Sequence, residues 1–270
     1  MRKKLFTLLL AVAASIGTMF AEVYNGTCGE NLTWELNTET GTLTIQGSGY
    51  MSHYFGTPTP WHDYATLITQ VILPEGIKSI GTLAFWDCVN LTTLNFPNSI
   101  EGIGEGSFPN SIAITLYNEH IFAYLPRTFS GEYVIPNGIE SIEMDAFADC
   151  ENLTSVIIPN SVSKIGGWAF RGCSALTSIT NYRSAPQIID NYVFQDIDLS
   201  HCKLYVLKES VNLYMIVDVW REFGEIIGVD ALLSIENTSI EPKTSKIICD
   251  GQVIIERNDK IYTLTGQEVK

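Results

Sequence analysis

The sequence predicts an α/β-repeat solenoid, mainly β, in which short coils stack into one right-handed column. Three observations predict it. First, anchor residues recur at a step of 23: Pro74 and Pro97, Pro136 and Pro159, Ile80 and Ile103, Ile142 and Ile165, Phe147 and Phe170, Cys150 and Cys173. A fixed period of this size marks a stacked array. Second, the unit from Leu153 to Cys173, LTSVIIPNSVSKIGGWAFRGC, carries its own folding instructions. Leu153, Val156 and Ile158 open a short β run, and Pro159 ends it because proline has no N–H for a ladder. Asn160-Ser161 turns the chain. Val162 and Ile165 point inward again, Gly166 allows a sharp bend, and Ala169, Phe170 and Cys173 complete the inward set. Third, 46% of the residues are hydrophobic, too many for a disordered chain. One unit cannot bury its inward residues alone, but stacked units bury like on like.

The elements follow in order. Arg2-Lys3-Lys4 precedes the apolar run Leu5 to Ala14. That pattern reads as a secretory signal peptide over 1–21, cleaved near Ala21, because the run is too short to span a membrane. Residues 22–66 read as an N-terminal β cap. Leu32 to Leu36 alternates around Trp34, Gly41 sits in the turn, and Leu43 to Gln46 returns as a hairpin. An open stack exposes its core, so Trp34, Tyr50, Tyr54, Trp61 and Tyr64 are expected to pack as a lid.

Residues 67–197 hold the repeats. Ile68 to Cys88 is the first turn and Leu91 to Phe108 the second. Phe108 and Phe147 are 39 residues apart, one period plus a remainder, so Ser111 to Glu132 is a shortened turn. Ile112, Ile114 and Leu116 are expected as its strand, with Ile121, Tyr124 and Phe129 inward. Regular turns resume at Tyr133 to Cys150 and Leu153 to Cys173, and Leu176 to Phe194 is a decaying copy. Residues 198–232 read as a C-terminal cap, with a last strand at Leu204 to Leu207 and a helix from Ser210 to Phe223 stopped by Gly224. Residues 233–270 read as a polar linker and a small β tail. Its hairpin turns fall at Asp250-Gly251, Asn258-Asp259 and Thr265-Gly266.

The unit LxxVxIPxSVxxIGxxAFxxC resembles the BspA-like leucine-rich repeats of bacterial surface proteins, over most of residues 23 to 230. GTCGENLTWELNTETGTLTIQGSG is similar to the module that often precedes such repeats. IFAYLPRTFSGEYVIPNGIESI is similar to a spacer turn between them, and WREFGEIIG to the last turn. DGQVIIERNDKIYTLTGQEVK resembles C-terminal β modules on exported Bacteroidales proteins. The resemblance implies a leucine-rich-repeat solenoid used for adhesion to host proteins or other bacteria, with no shared catalytic residues.

Charge narrows the partners. The chain carries −14, and without Arg2, Lys3 and Lys4 it has 13 basic against 30 acidic residues, a net −17. Such a surface repels nucleic acid and anionic membrane. Six cysteines follow the leader. An even count in an exported chain suggests disulfides, but Cys88, Cys150 and Cys173 share one inward slot, where cysteine serves as a small buried hydrophobe. A Cys150–Cys173 bridge is the alternative. The histidines at 53, 62, 120 and 201 are scattered, and no zinc spacing, catalytic set or cofactor motif is legible. Gly102-Ile103-Gly104-Glu105-Gly106 mimics part of a phosphate loop but lies inside the repeat. Glu143, Asp145, Asp149 and Glu151 crowd one edge and read as a solvated acidic rim rather than a calcium loop.

The outward strand positions are the expected binding face: Gln70 and Ile72, Thr93 and Asn95, Glu132 and Val134, Ser155 and Ile157, Ser178 and Thr180. The residues ahead of the phenylalanine anchors vary, and Trp168 is the most conspicuous of them. A long shallow mixed face suits a protein or glycoprotein partner better than a small molecule. These readings point to a monomeric, secreted or surface-held, non-catalytic adhesion protein without metal or cofactor. The competing readings are a structural surface-layer component and a polysaccharide-degrading enzyme with paired carboxylates.

Overall fold

The computed structural model describes residues 22–230 and, in the tail, the strands Thr244–Cys249, Gln252–Arg257, Lys260–Thr263 and Glu268–Val269. The chain forms two compact units that divide between Val229 and Asp230. The tail strands form one sheet paired antiparallel in chain order. The expected leader, the linker and the three tail turns lie outside the described residues.

The first unit is a mainly β solenoid. Each regular turn contributes a first strand, a proline-led turn, a second short strand and an aromatic bend. Pro74, Pro97, Pro136 and Pro159 end the first strands. Their carbonyls accept from Ile77, Ile100, Ile139 and Val162 N–H at 3.1–3.4 Å, which closes each turn three residues on. Strand equivalents pair in parallel register one period apart, as in Ser155 with Ser178 and Val156 with Ile179. The bends form a ladder too: Phe147 N–H donates to Ala169 O and Phe170 N–H to Val193 O, at 2.8 and 2.9 Å.

Gly166 is needed for closeness rather than for its backbone angle. A Cβ there would lie 2.5 Å from the Met144 nitrogen of the turn beneath. The left-handed positions fall instead on Leu83, Asp145 and Trp168, with φ near 60°. That conformation is strained for a side-chain-bearing residue.

The aromatic column forms as the period demands, but in two segments. Trp61, Phe85 and Phe108 stack at 5.7 and 6.3 Å. Phe122, Phe147, Phe170 and Phe194 stack at 4.7, 4.9 and 5.3 Å, within 18° of parallel. The core divides likewise into two buried clusters. They meet at the strand Ile121–Tyr124, where all four residues are buried. Ile121, Ala123 and Tyr124 belong to the N-terminal cluster, and Phe122 to the C-terminal one. Alternate side chains of a strand leave opposite faces, and a register shift between Phe122 and Tyr124 turns the tyrosine back.

The shortened turn therefore differs from expectation. Its strands are Leu116–Tyr117 and Ile121–Tyr124, paired antiparallel, while Ile112 and Ile114 lie in irregular chain. Phe122 takes the column slot and Phe129 is only half-buried.

At the N-terminus the hairpin forms as Leu32–Asn37 with Thr42–Gly47, and Val23–Gly29 adds a third antiparallel strand. Trp34, Tyr54 and Trp61 are buried, and Tyr64 stacks on Tyr24 at 4.0 Å, but Tyr50 is exposed. At the other end the expected long helix is a four-residue turn, Val211–Tyr214. Helical continuation would leave Tyr214 and Trp220 unable to close the stack together. Instead Val219 turns left-handed at φ 68°. Trp220 then meets Phe194 edge-on and donates to Gln187 O at 2.8 Å, and Tyr214 donates to Arg183 O at 3.0 Å. Packing overrides local propensity here. Lys203–Leu207 is not the last strand, since Glu225–Val229 pairs beyond it in parallel.

Candidate functional site

The outward positions do not form one ladder. The N-terminal sheet ends at Thr93–Leu94 and the C-terminal sheet starts at Ser130–Val134. Gln70 pairs with Thr93 in register, on a face that the hairpin continues with polar residues, among them Thr42, Thr44, Glu35 and Asn37. Ile72 and Thr93 are exposed and Gln70 is half-buried. Asn95 is not a free surface group. Its Oδ1 accepts from Leu73 N–H at 2.6 Å and its Nδ2 donates to Leu73 O at 2.8 Å. The amide replaces the backbone pairing that stops one residue earlier.

The C-terminal sheet is flatter in composition and longer. Its five strands are parallel and in register. One outward row runs Glu132, Ser155, Ser178, Lys203, Glu225. The next runs Val134, Ile157, Thr180, Tyr205, Ile227. Val134 is 56% exposed and its row neighbours are half-buried. The sequence reading missed Tyr205 and Ile227 because the period is lost after Phe194. The continuing alternation of Lys203 to Leu207 was the available signal.

A second site lies where the two stacks meet. The shortened turn supplies no bend segment over residues 103–107, so a cleft of about 500 Å³ opens there. Acidic side chains from the next turn bridge the two stacks: Asp145 and Asp149 in the cleft lining, and Glu143 just beside it. Glu143 Oε2 accepts from Ile103 N–H at 3.3 Å while its Oε1 accepts from Ser141 at 2.8 Å. Burial raises the Glu143 pKa, and those two donors oppose the rise. Asp145 is raised by burial too, against the pull of Arg171 and a hydrogen bond from the Gly106 backbone. Glu143 and Asp145 are thus half-buried braces, not a solvated rim as the sequence suggested. Asp149 is held by Arg127 and Arg171, which converge on its Oδ2.

Trp168 lines this cleft rather than the strand face. Its Nε1 donates to Gln195 at 2.9 Å and its ring lies against Tyr192. Trp86, 45% exposed, is a second indole in the lining. Gly106 beside it is left-handed at φ 60°, and a Cβ there would meet Leu83 Cδ2 at 2.9 Å. Among the described residues no group of three or more His, Cys, Asp or Glu could hold a metal ion.

The five cysteines at 28, 88, 150, 173 and 202 are free and buried, and the Cys249 side chain lies outside the described ones. Burial pushes the Cys28, Cys88 and Cys150 thiols up to about 12. Cys173 donates to Phe147 O at 3.1 Å. No helix among the described residues is long and apolar enough to cross a membrane.

The fold and its repeating bend define a leucine-rich-repeat solenoid. More narrowly, the chain belongs to the BspA type leucine rich repeat family, whose region matches residues 63–130 and 117–216 in 6 copies. Among solved structures it is similar to a leucine-rich repeat protein from Eubacterium ventriosum ATCC 27560, at 16% identity, covering 77% of this chain and 85% of that one, with a TM-score of 0.31. It is also similar to a T. pallidum leucine rich repeat protein, at 20% identity over 76% and 82%, TM-score 0.30. A leucine rich cell surface protein from Faecalibacterium prausnitzii A2-165 matches at 15% identity over 77% and 96%, TM-score 0.29. No curated protein matches the chain.

Proposed function

We propose that this protein is an exported, non-catalytic adhesion module that binds a protein partner through the C-terminal strand face. The observation that carries the reading is the in-register row Val134, Ile157, Thr180, Tyr205, Ile227 beside the polar row Glu132, Ser155, Ser178, Lys203, Glu225. An apolar strip with a polar border is how protein interfaces are built, and array faces are commonly used so. The family assignment and the basic-then-apolar N-terminus support the same reading. The polar N-terminal sheet, with Gln70, Ile72 and Thr93, is a flank rather than the centre of this interface.

The test is capture by an array of purified extracellular-matrix and cell-surface proteins. At least one should bind the intact chain, and Val134→Asp with Tyr205→Ala should weaken it by about tenfold or more. Thr93→Asp should leave binding unchanged. If no arrayed protein is captured, or capture survives the first pair, the face is not the interface.

A further inference from the structure

We propose that the cleft between the two stacks is a binding site for a neutral saccharide, formed where the shortened turn leaves the bend ladder open.

The cleft is built, not merely vacant. Its volume of about 500 Å³ falls within the range of small-molecule sites. Two polar groups in it lack partners. Tyr124 is 6% exposed and lines the cleft, and its hydroxyl has no hydrogen-bond partner. The Nε of Arg127, in the same lining, is also buried and unpartnered. Arg127 is the polar neighbour of that hydroxyl: its side chain and backbone N–H both turn toward the phenol and oppose the burial-driven rise of its pKa, yet neither closes a well-formed hydrogen bond with it. Buried polar groups left unpaired are costly, so each one calls for an explanation.

The chemistry of those two groups selects the ligand. Arginine Nε only donates, whereas a tyrosine hydroxyl donates and accepts. A sugar hydroxyl does both and can serve the two together. A cation has no acceptor for Arg127. An anion meets Glu105, Asp145 and Asp149 against only Arg127 and Arg171, and the two guanidiniums are already committed to Asp149. The charge balance therefore opposes phosphate, sulfate and uronate groups. Trp86 and Trp168 supply flat apolar surfaces of the kind that meets the C–H face of a pyranose ring. The indole of Trp168 is fixed by its bond to Gln195, so less ordering is needed on binding. The exposed carboxylate of Glu105, also in the lining, is an acceptor for ring hydroxyls.

This site is independent of the strand face, and the experiment separates them. The intact chain is titrated by calorimetry with maltotriose, cellotriose, chitotriose and mannotriose. A heparin-derived disaccharide and a lysine-rich peptide serve as anionic and cationic probes. At least one neutral trisaccharide should bind saturably. Trp86→Ala, at an exposed position, should weaken it by about tenfold. Tyr124→Phe removes only the hydroxyl and should weaken it by about three- to tenfold, with circular dichroism unchanged in both. Val134→Asp should leave sugar binding intact even where it abolishes protein capture. Absence of saturable binding by all four sugars would overturn the proposal. So would unchanged affinity in both cleft variants, or tighter binding of either charged probe at the same site.

Discussion

The two stacks of this solenoid follow one repeat but hold themselves together differently. In the C-terminal stack the strand pairing continues even where the 23-residue step lapses after Phe194, and backbone bonds to backbone from Ser130–Val134 through Glu225–Val229. In the N-terminal stack Gln70–Ile72 and Thr93–Leu94 share only two paired positions, and side-chain amides finish the work. Asn95 serves both polar groups of Leu73. Asn118 is buried and makes four bonds: it donates to Pro97 O and Ile100 O at 3.2 and 3.0 Å, and accepts from His120 and Ile121 N–H at 2.9 and 2.8 Å. The difference teaches that a broken period is tolerable where a carboxamide, with both donors and acceptors, can imitate a missing peptide.

Three substitutions test that contrast. The largest effect is expected from Phe147→Ala, which removes a ring stacked on both sides and should cost about 3–5 kcal/mol. In an array with neighbour-only contacts the damage should stay local. Thiol labelling during urea unfolding should therefore reach Cys150 and Cys173 at lower urea than Cys28 and Cys88. Simultaneous labelling of all four would show that the two clusters melt as one body.

Asn118→Ala should cost about 3 kcal/mol, because two amides and two carbonyls lose a buried partner at once. Urea denaturation measures it directly, and a loss below about 1 kcal/mol would mean that the backbone re-pairs without the amide.

The smallest effect should come from Glu143→Gln, and it depends on pH. Burial raises the Glu143 pKa above its ordinary 4.5, so the folded chain holds that proton more tightly than the unfolded one. Stability from this group is greatest in acid and falls as pH rises through 4.5, levelling once pH passes the folded pKa. Across that window the variant should gain on the parent. A constant difference between the two denaturation curves at every pH would show that Glu143 ionises in the fold as it does in water.

Regular turns were legible because each inward slot repeats its residue: Ile80, Ile103, Ile142 and Ile165, or Phe85, Phe108, Phe147 and Phe170. The shortened turn was legible only as a defect in spacing. IFAY gives no periodic clue that Phe122 points one way and its neighbours the other, since a strand buried on both faces has no polar face to betray its register. The same blindness hid the cleft. Glu143 and Asp145 read as solvated because acids usually are, and nothing local says that the turn beneath them is missing its bend. The outward positions follow the alternation of each strand as far as the period runs, to Thr180, although they split between two sheets, and Tyr205 and Ile227 fall beyond it. Ser210 to Phe223 misled because its spacing suits a helix, while the open end of the stack demanded Tyr214 and Trp220 as a plug.

The strand Ile121–Tyr124 has a consequence for how such a chain can change in length. Every ordinary turn touches only the turn above and the turn below, so a duplicated 23-residue segment can slot into either column and leave the rest undisturbed. The four residues that look both ways have no such freedom. They are a splice between two columns, and columns of other lengths can be joined through it while the hollow beside it is preserved.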